Sequence, residues 1–182
     1  MAGFKGNFEA MGDILDILAY SAGRSGPDPK EAGKWHSVNH KIWNYANPQG
    51  GPENPDLYRR NYGLQLWRIN YDGGGPFAWQ VSYGDDDGMW NDFSSDRRAN
   101  AMTYPAADRP IDTIAWEGFR EAVDDVRYAT TLKLEIDKAK KSKNSNKKKL
   151  ALQAEKYLEE LDVTGDLDVI RRKIISYILK LK

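Results

Sequence analysis

Residues 14–45 read ILDILAYSAGRSGPDPKEAGKWHSVNHKIWNY, and the fold follows from this stretch. Ile14 to Tyr20 is a short, mostly apolar run closed by Ser21-Ala-Gly-Arg-Ser-Gly-Pro27. That length, with Gly and Pro directly after it, predicts a buried strand rather than a helix. Asp28 then stands where an N-cap belongs and Pro29 where the first helical turn begins, so a helix is expected over Pro29 to Asn39. Lys41 to Tyr45 is a second strand candidate. Two strands separated by a helix are too far apart in sequence to be a hairpin, and the connection implies parallel pairing.

The alternation continues on the C-terminal side. Asn47-Pro48-Gln49-Gly50-Gly51-Pro52 ends the second strand. Asn54 can cap a helix that starts at Pro55 and carries Tyr58, Tyr62, Leu66 and Ile69 at steps of four, four and three. Gly73-Gly74-Gly75-Pro76 is read as a break, and Phe77 to Tyr83 as a third strand. Gly84 to Pro110 is long for a connection and has no clear periodicity; loops of that size in compact domains are usually functional. A helix follows, with Ala115, Phe119, Ala122, Val126 and Ala129 on one face and Asp112 or Thr113 as its cap. The expected fold is α/β. A closed (β/α)8 barrel needs about 250 residues, so the three visible units predict a partial (β/α)8, TIM-like barrel made of its last three or so βα units.

The C-terminal part differs in composition. The net charge of zero is a cancellation. Residues 131–182 carry 14 Lys/Arg against 8 Asp/Glu, and residues 1–130 carry 13 against 19. All six Trp lie between Trp35 and Trp116. Such asymmetry marks separate structural units, here expected at 1–136 (partial barrel), 137–149 (basic linker) and 150–182 (helical tail). In the tail, Leu150, Ala154, Tyr157, Leu158 and Leu161 form one helical stripe. Val169, Ile170, Ile174, Tyr177, Ile178 and Leu181 form a second after Thr164-Gly165, with Asp166 and Asp168 at its start and Lys180 and Lys182 at its end, as a helix dipole prefers. The pair predicts a C-terminal α-helical hairpin.

Several chemistries are disfavoured by the residues themselves. The chain has no Cys, which removes disulfides and thiolate metal sites. No stretch approaches the ~20 apolar residues of a membrane span, the first residues lack an apolar run fit for a signal peptide, and no membrane partner is expected. Asp85-Asp86-Asp87-Gly88 begins like a calcium loop, but Trp90 occupies the sixth position, where the turn needs Gly, and Asp96 the twelfth, where a bidentate Glu belongs. His36 and His40 are four apart without a third ligand or a neighbouring Glu, so no metal site is expected. Gly73-Gly74-Gly75 lacks the spacing of a nucleotide loop, and no cofactor is expected. The lysine run Lys138 to Lys149 has no interleaved aromatics; it is read as a solvated linker, and a nucleic-acid partner is not expected. Glu117, Arg120, Glu121, Asp124, Asp125 and Arg127 crowd one helix; Glu117 and Glu121, and Arg120 and Asp124, are i,i+4 neighbours, and the charges are read as helix-surface or helix-to-barrel ion pairs rather than as an acid–base pair.

The candidate binding residues are those at or beyond the C-terminal ends of the expected strands, where parallel α/β folds place ligands. They are Tyr20, Tyr45, Asn47, Trp79, Trp90 and Asp92. Aromatic faces stack on the C–H faces of sugar rings, while Asn, Asp and Tyr tips bind hydroxyls. Trp43 and Trp67 are assigned to the core.

Taken in order, Lys41-Ile-Trp-Asn-Tyr-Ala-Asn-Pro48, Tyr58-Arg-Arg-Asn-Tyr-Gly-Leu-Gln-Leu-Trp67, Tyr71-Asp-Gly73, Thr103-Tyr-Pro105 and Ile111-Asp-Thr-Ile-Ala-Trp-Glu-Gly-Phe-Arg-Glu-Ala-Val-Asp-Asp-Val-Arg-Tyr128 resemble the C-terminal end of glycoside-hydrolase-like barrels related to the β-N-acetylgalactosaminidase type. The resemblance covers roughly residues 10–132, with Ala122 a departure where many relatives have Gly. It implies a carbohydrate (glycan) partner and a sugar-facing role for Tyr45, Trp79 and Trp90. It also implies catalytic carboxylates on an earlier strand, as an adjacent Asp-Glu pair; residues 1–130 contain no such pair, so no catalytic residue is assigned. The expected function is that of the C-terminal portion of such a barrel, contributing sugar-facing residues. The alternative is a non-catalytic carbohydrate-binding or protein-interaction module that associates with a copy of itself or with a missing barrel half.

Overall fold

The computed structural model describes residues 7–20, 27–45, 54–76, 79–81 and 100–182. The chain divides into two compact units, Met1–Ala122 and Val123–Lys182, and the division falls inside one long helix, whereas composition places its change between residues 136 and 137.

In the first unit, α1 (Asn7–Met11) precedes β1 (Ile17–Tyr20), α2 (Pro29–Ser37), β2 (Lys41–Tyr45), α3 (Pro55–Tyr62), α4 (Leu64–Arg68) and β3 (Gly73–Gly75). The three strands form one parallel sheet in the order β1-β2-β3. The caps act as the sequence suggests. The Asp28 carboxylate accepts from the Lys30 amide at 2.9 Å, and the Asn54 side-chain oxygen accepts from the Leu57 amide at 3.2 Å, each satisfying an amide that the helix itself leaves open. Asn39 and Asn70, both with φ near +60°, turn the chain out of α2 and α4, a left-handed conformation that Asn tolerates better than most residues.

Two sequence expectations are corrected here. The third parallel strand is the glycine run 73–75, read above as a break, and not Phe77 to Tyr83. Of that second segment only Gln80–Val81 is a strand, β4, paired antiparallel with β5 (Asn100–Ala101); residues 77–78 and 82–83 lie outside the described residues. Close packing on both faces explains why glycine makes this strand. A Cβ on Gly73 would lie 3.0 Å from the Trp43 ring, and one on Gly74 would lie 2.5 Å from Leu66 Cδ1 and 3.0 Å from the Asn44 carbonyl. The single helix expected from Pro55 is also two helices, α3 and α4, meeting at Gly63. There a Cβ would lie 2.4 Å from the Arg59 carbonyl and 3.2 Å from the Ala122 Cβ.

The connection expected over 84–110 contains short pairings in its described part. β6 (Thr103–Tyr104) pairs antiparallel with β7 (Ile111–Asp112). The buried Thr113 donates its hydroxyl to the Met102 carbonyl at 3.0 Å and accepts from the Trp116 amide at 3.2 Å, which makes it the cap of α5 (Ile114–Lys140). Ala32, Trp35, Ile42, Tyr58, Tyr62, Leu66, Tyr71, Met102, Ala115 and Ala122 form the core of this unit, with Leu18 and Tyr20 against it.

The second unit holds the rest of α5 with α6 (Ser145–Glu159) and α7 (Leu167–Leu181). The basic stretch Lys138 to Lys149 is the end of α5, a turn, and the start of α6; the Asn144 side chain caps α6 by accepting from the Asn146 and Lys147 amides. Asp166 caps α7 in the same way through the Asp168 and Val169 amides. Ala151, Ala154, Leu158 and Leu161 bury one stripe, and Leu167, Ile170, Ile174, Ile178 and Leu181 the other. Tyr157 and Tyr177 rings meet at 5.6 Å between the two helices.

Candidate functional site

Side chains alternate across a strand, so the register of the sheet assigns every residue to a face. Leu18, Tyr20, Ile42 and Asn44 share one face with Gly74, and Ile42 and Asn44 on it are fully buried. The elements of the core pack on this side. Ile17, Ala19, Lys41, Trp43 and Tyr45 share the other face with Gly73 and Gly75. Ile17 is 52% exposed and Trp43 47%. Among the described residues, no helix covers this second face.

The sequence-predicted residues therefore separate. Tyr45 lies on the open face. Tyr20 lies on the covered face, edge-on to Tyr71 with ring centroids 6.5 Å apart; burial, then the nearby Glu31 and Asp28, raise its phenol pKa. Trp79 lies outside the parallel sheet and is 49% exposed. Its ring stands edge-on to Trp116 at 4.9 Å, Trp116 stacks on Phe119 at 5.9 Å, and Phe119 contacts Tyr62 at 5.6 Å. Trp79 thus ends an aromatic series that reaches into the core. Asn47, Trp90 and Asp92 lie outside the described residues.

Trp43 is the residue that sequence reasoning assigned to the core and the structure places on the open face. Its indole lies against Gly73, whose missing side chain leaves the space. With Tyr45 two residues along, it gives that face two aromatic groups flanked by glycines. The glycine run gives no side-chain pattern that reveals this; its lack of side chains is what leaves room for the aromatic neighbour.

A second polar cluster lies at the opposite ends of the strands. His36 Nε2 is 2.9 Å from Asp72 Oδ2, which also accepts from the Ile42 amide at 2.9 Å. The Asn70 amide nitrogen is 3.0 Å from His36 Nδ1. Because that nitrogen can only donate, His36 accepts at Nδ1 and donates from Nε2. Both ring nitrogens are engaged, so the cluster is a clamp tying α2 to the entry of β3. His40 does not join it; its ring lies 6.5 Å from the Trp35 ring.

No protein-family model and no curated protein matches the sequence. Function therefore rests on the geometry of the chain itself. Two of the crowded charges of α5 pair at i,i+3 spacing: Arg120 binds Glu117 at 2.6 Å and Arg127 binds Asp124 at 3.4 Å. Asp125 is buried and bound to Arg171 of α7 at 2.5 Å. Among the described residues, no group of three His, Asp or Glu side chains is placed to hold a metal.

Proposed function

We propose that the first unit is part of a (β/α) barrel of the glycoside-hydrolase-like type, that its open sheet face is the barrel interior, and that it contributes sugar-facing residues without catalytic carboxylates of its own. One observation supports this above the others: a parallel sheet in sequential order with its core on one face and Trp43 and Tyr45 on a second face that no helix among the described residues covers. Barrels place helices outside and order their strands sequentially; doubly wound sheets reverse their strand order and cover both faces with helices. Trp43 and Tyr45 present the flat apolar surface that stacks on a pyranose ring, and the resemblance in residues 10–132 supplies the ligand class.

Calorimetric titration of the full chain with N-acetylhexosamine oligosaccharides tests the proposal. Binding that falls at least tenfold in Trp43→Ala and Tyr45→Ala, without hydrolysis of aryl N-acetylhexosaminides, is the expected result. Binding indifferent to both substitutions, or turnover by the chain alone, overturns it. The exposed Ile17 beside Trp43 favours a second reading, in which another copy or further barrel strands cover this face. In that case the mass by light scattering rises with concentration and the same substitutions abolish the rise.

A further inference from the structure

Residues 138–149 contain seven lysines and no acidic residue. The fold gathers them with two more. Lys147 Nζ donates to the backbone oxygen of Lys182 at 3.0 Å, which brings the end of α7, with Lys180 and Lys182, beside the turn between α5 and α6. The Glu135 carboxyl feels the same gathering. Its pKa is lowered first by the hydrogen bond from Lys138, and further by the charges of Lys138, Lys182 and Lys147.

Local pairing accounts for only part of the charge. Lys138 binds Glu135 at 2.7 Å, and Lys140 binds Glu155. Among the described residues, the side chains of Lys141, Lys143, Lys148, Lys149 and Lys180 have no hydrogen-bond or ion-pair partner, and all five are exposed. Leu179, in the same last turn of α7, is 69% exposed.

We propose that this lysine-rich end of the second unit is a peripheral docking surface for an anionic lipid bilayer. Its chemistry favours a diffuse negative plane over a nucleic acid. The cluster contains no Arg, the side chain suited to bidentate phosphate recognition, and no aromatic side chain on which bases stack. Lysines near an anionic leaflet add their attractions without needing a groove to follow, their alkyl stems lie against apolar surface while the ammonium stays in water, and Leu179 adds an exposed apolar side chain next to Lys180 in sequence. Such a contact lies on the membrane surface and needs no spanning helix.

Co-sedimentation of the full chain with vesicles tests the proposal. The expected result is binding to phosphatidylcholine vesicles containing about 30% phosphatidylserine, none to pure phosphatidylcholine, and loss of binding at about 0.5 M salt, where screening is short-ranged. Replacing Lys141, Lys143, Lys148 and Lys149 by Gln should weaken partitioning at least tenfold, since each lysine near the surface contributes roughly a fivefold factor. Circular dichroism checks that the variant keeps its helices; the double variant Lys143→Gln/Lys149→Gln replaces it if it does not. Leu179→Gln should weaken binding severalfold while leaving its salt dependence unchanged. Equal binding to neutral and anionic vesicles, no binding to either, or unaltered binding by the lysine variants overturns the proposal. So does a DNA duplex that binds more tightly than the vesicles at the same salt.

Discussion

Replacing Gly118 by alanine puts a methyl group where the backbone of α3 already lies. A Cβ at this position would stand 2.2 Å from the Pro55 carbonyl oxygen and 2.7 Å from its Cα and carbonyl carbon, where real Cβ contacts essentially never fall below 3.0 Å. The two helices must separate by about 0.8 Å or distort, and both moves act on backbone rather than on a flexible side chain. Gly33 in α2 is the control, since a Cβ there meets no atom within 4 Å. Removing glycine from a helix interior stabilises by about 0.5–1 kcal/mol, so Gly33→Ala should gain that amount. Gly118→Ala gains the same but loses about 3 kcal/mol, the upper end of the overpacking range, because backbone has to move, for a net destabilisation of about 2 kcal/mol. At about 2–4 °C per kcal/mol for a chain of this size, the midpoint should fall by roughly 4–8 °C. All six tryptophans lie between Trp35 and Trp116, so tryptophan fluorescence during urea unfolding reports on the first unit. If Gly118→Ala proves as stable as the parent, or gains like Gly33→Ala, α5 does not seat on the start of α3 and this account of the packing fails.

Other expectations rest on single side chains. Tyr71 donates to the Asp28 carbonyl at 3.1 Å, whereas the Tyr62 hydroxyl is buried with no hydrogen-bond partner. Tyr71→Phe should therefore cost about 1 kcal/mol and Tyr62→Phe should be neutral or stabilising, which paired urea curves will decide. Burial holds both phenols well above the ordinary value, helped at Tyr71 by Tyr20, Glu31 and Asp28. Their pKa is higher folded than unfolded, so their contribution is complete below the unfolded value of about 10 and is lost as pH rises beyond it. Stability should drop above pH about 10, less so in Tyr62→Phe, and a Tyr62→Phe curve that tracks the parent through that range contradicts the burial. Arg171→Ala removes the ion pair that Arg171 makes with the Asp125 carboxylate, 1% exposed, and should cost about 3 kcal/mol; loss of helical circular dichroism at lower denaturant measures it, and an unchanged midpoint refutes it.

Legibility varied with how local the cause of each element was. The caps at Asp28 and Asn54 were readable because a side chain reaching an amide two or three residues on needs nothing else from the chain. The two C-terminal helices were readable because each puts one apolar face toward a partner, whatever that partner is. The site was less so: Asn47, Trp90 and Asp92 fall outside the described residues, Tyr20 turns to the covered face, and Trp43 turns to the open one.

The sequence by itself determined where α2 and α3 begin, that the first strands are parallel, and much of the buried stripes of α6 and α7, although Val169 is exposed and Ala151 and Leu167 are buried. Each of these depends on contacts within a few residues or on a regular period of side chains. Tertiary structure alone decided that Gly73–Gly75 is a strand, because a run without side chains has no pattern to read and becomes a strand only by pairing with β2. It decided which face of β2 is open, because alternation separates Trp43 from Asn44 but does not say which side the helices cover. It also brought Lys180 and Lys182 beside the lysines of 138–149, since residues more than thirty positions apart meet only when helices pack.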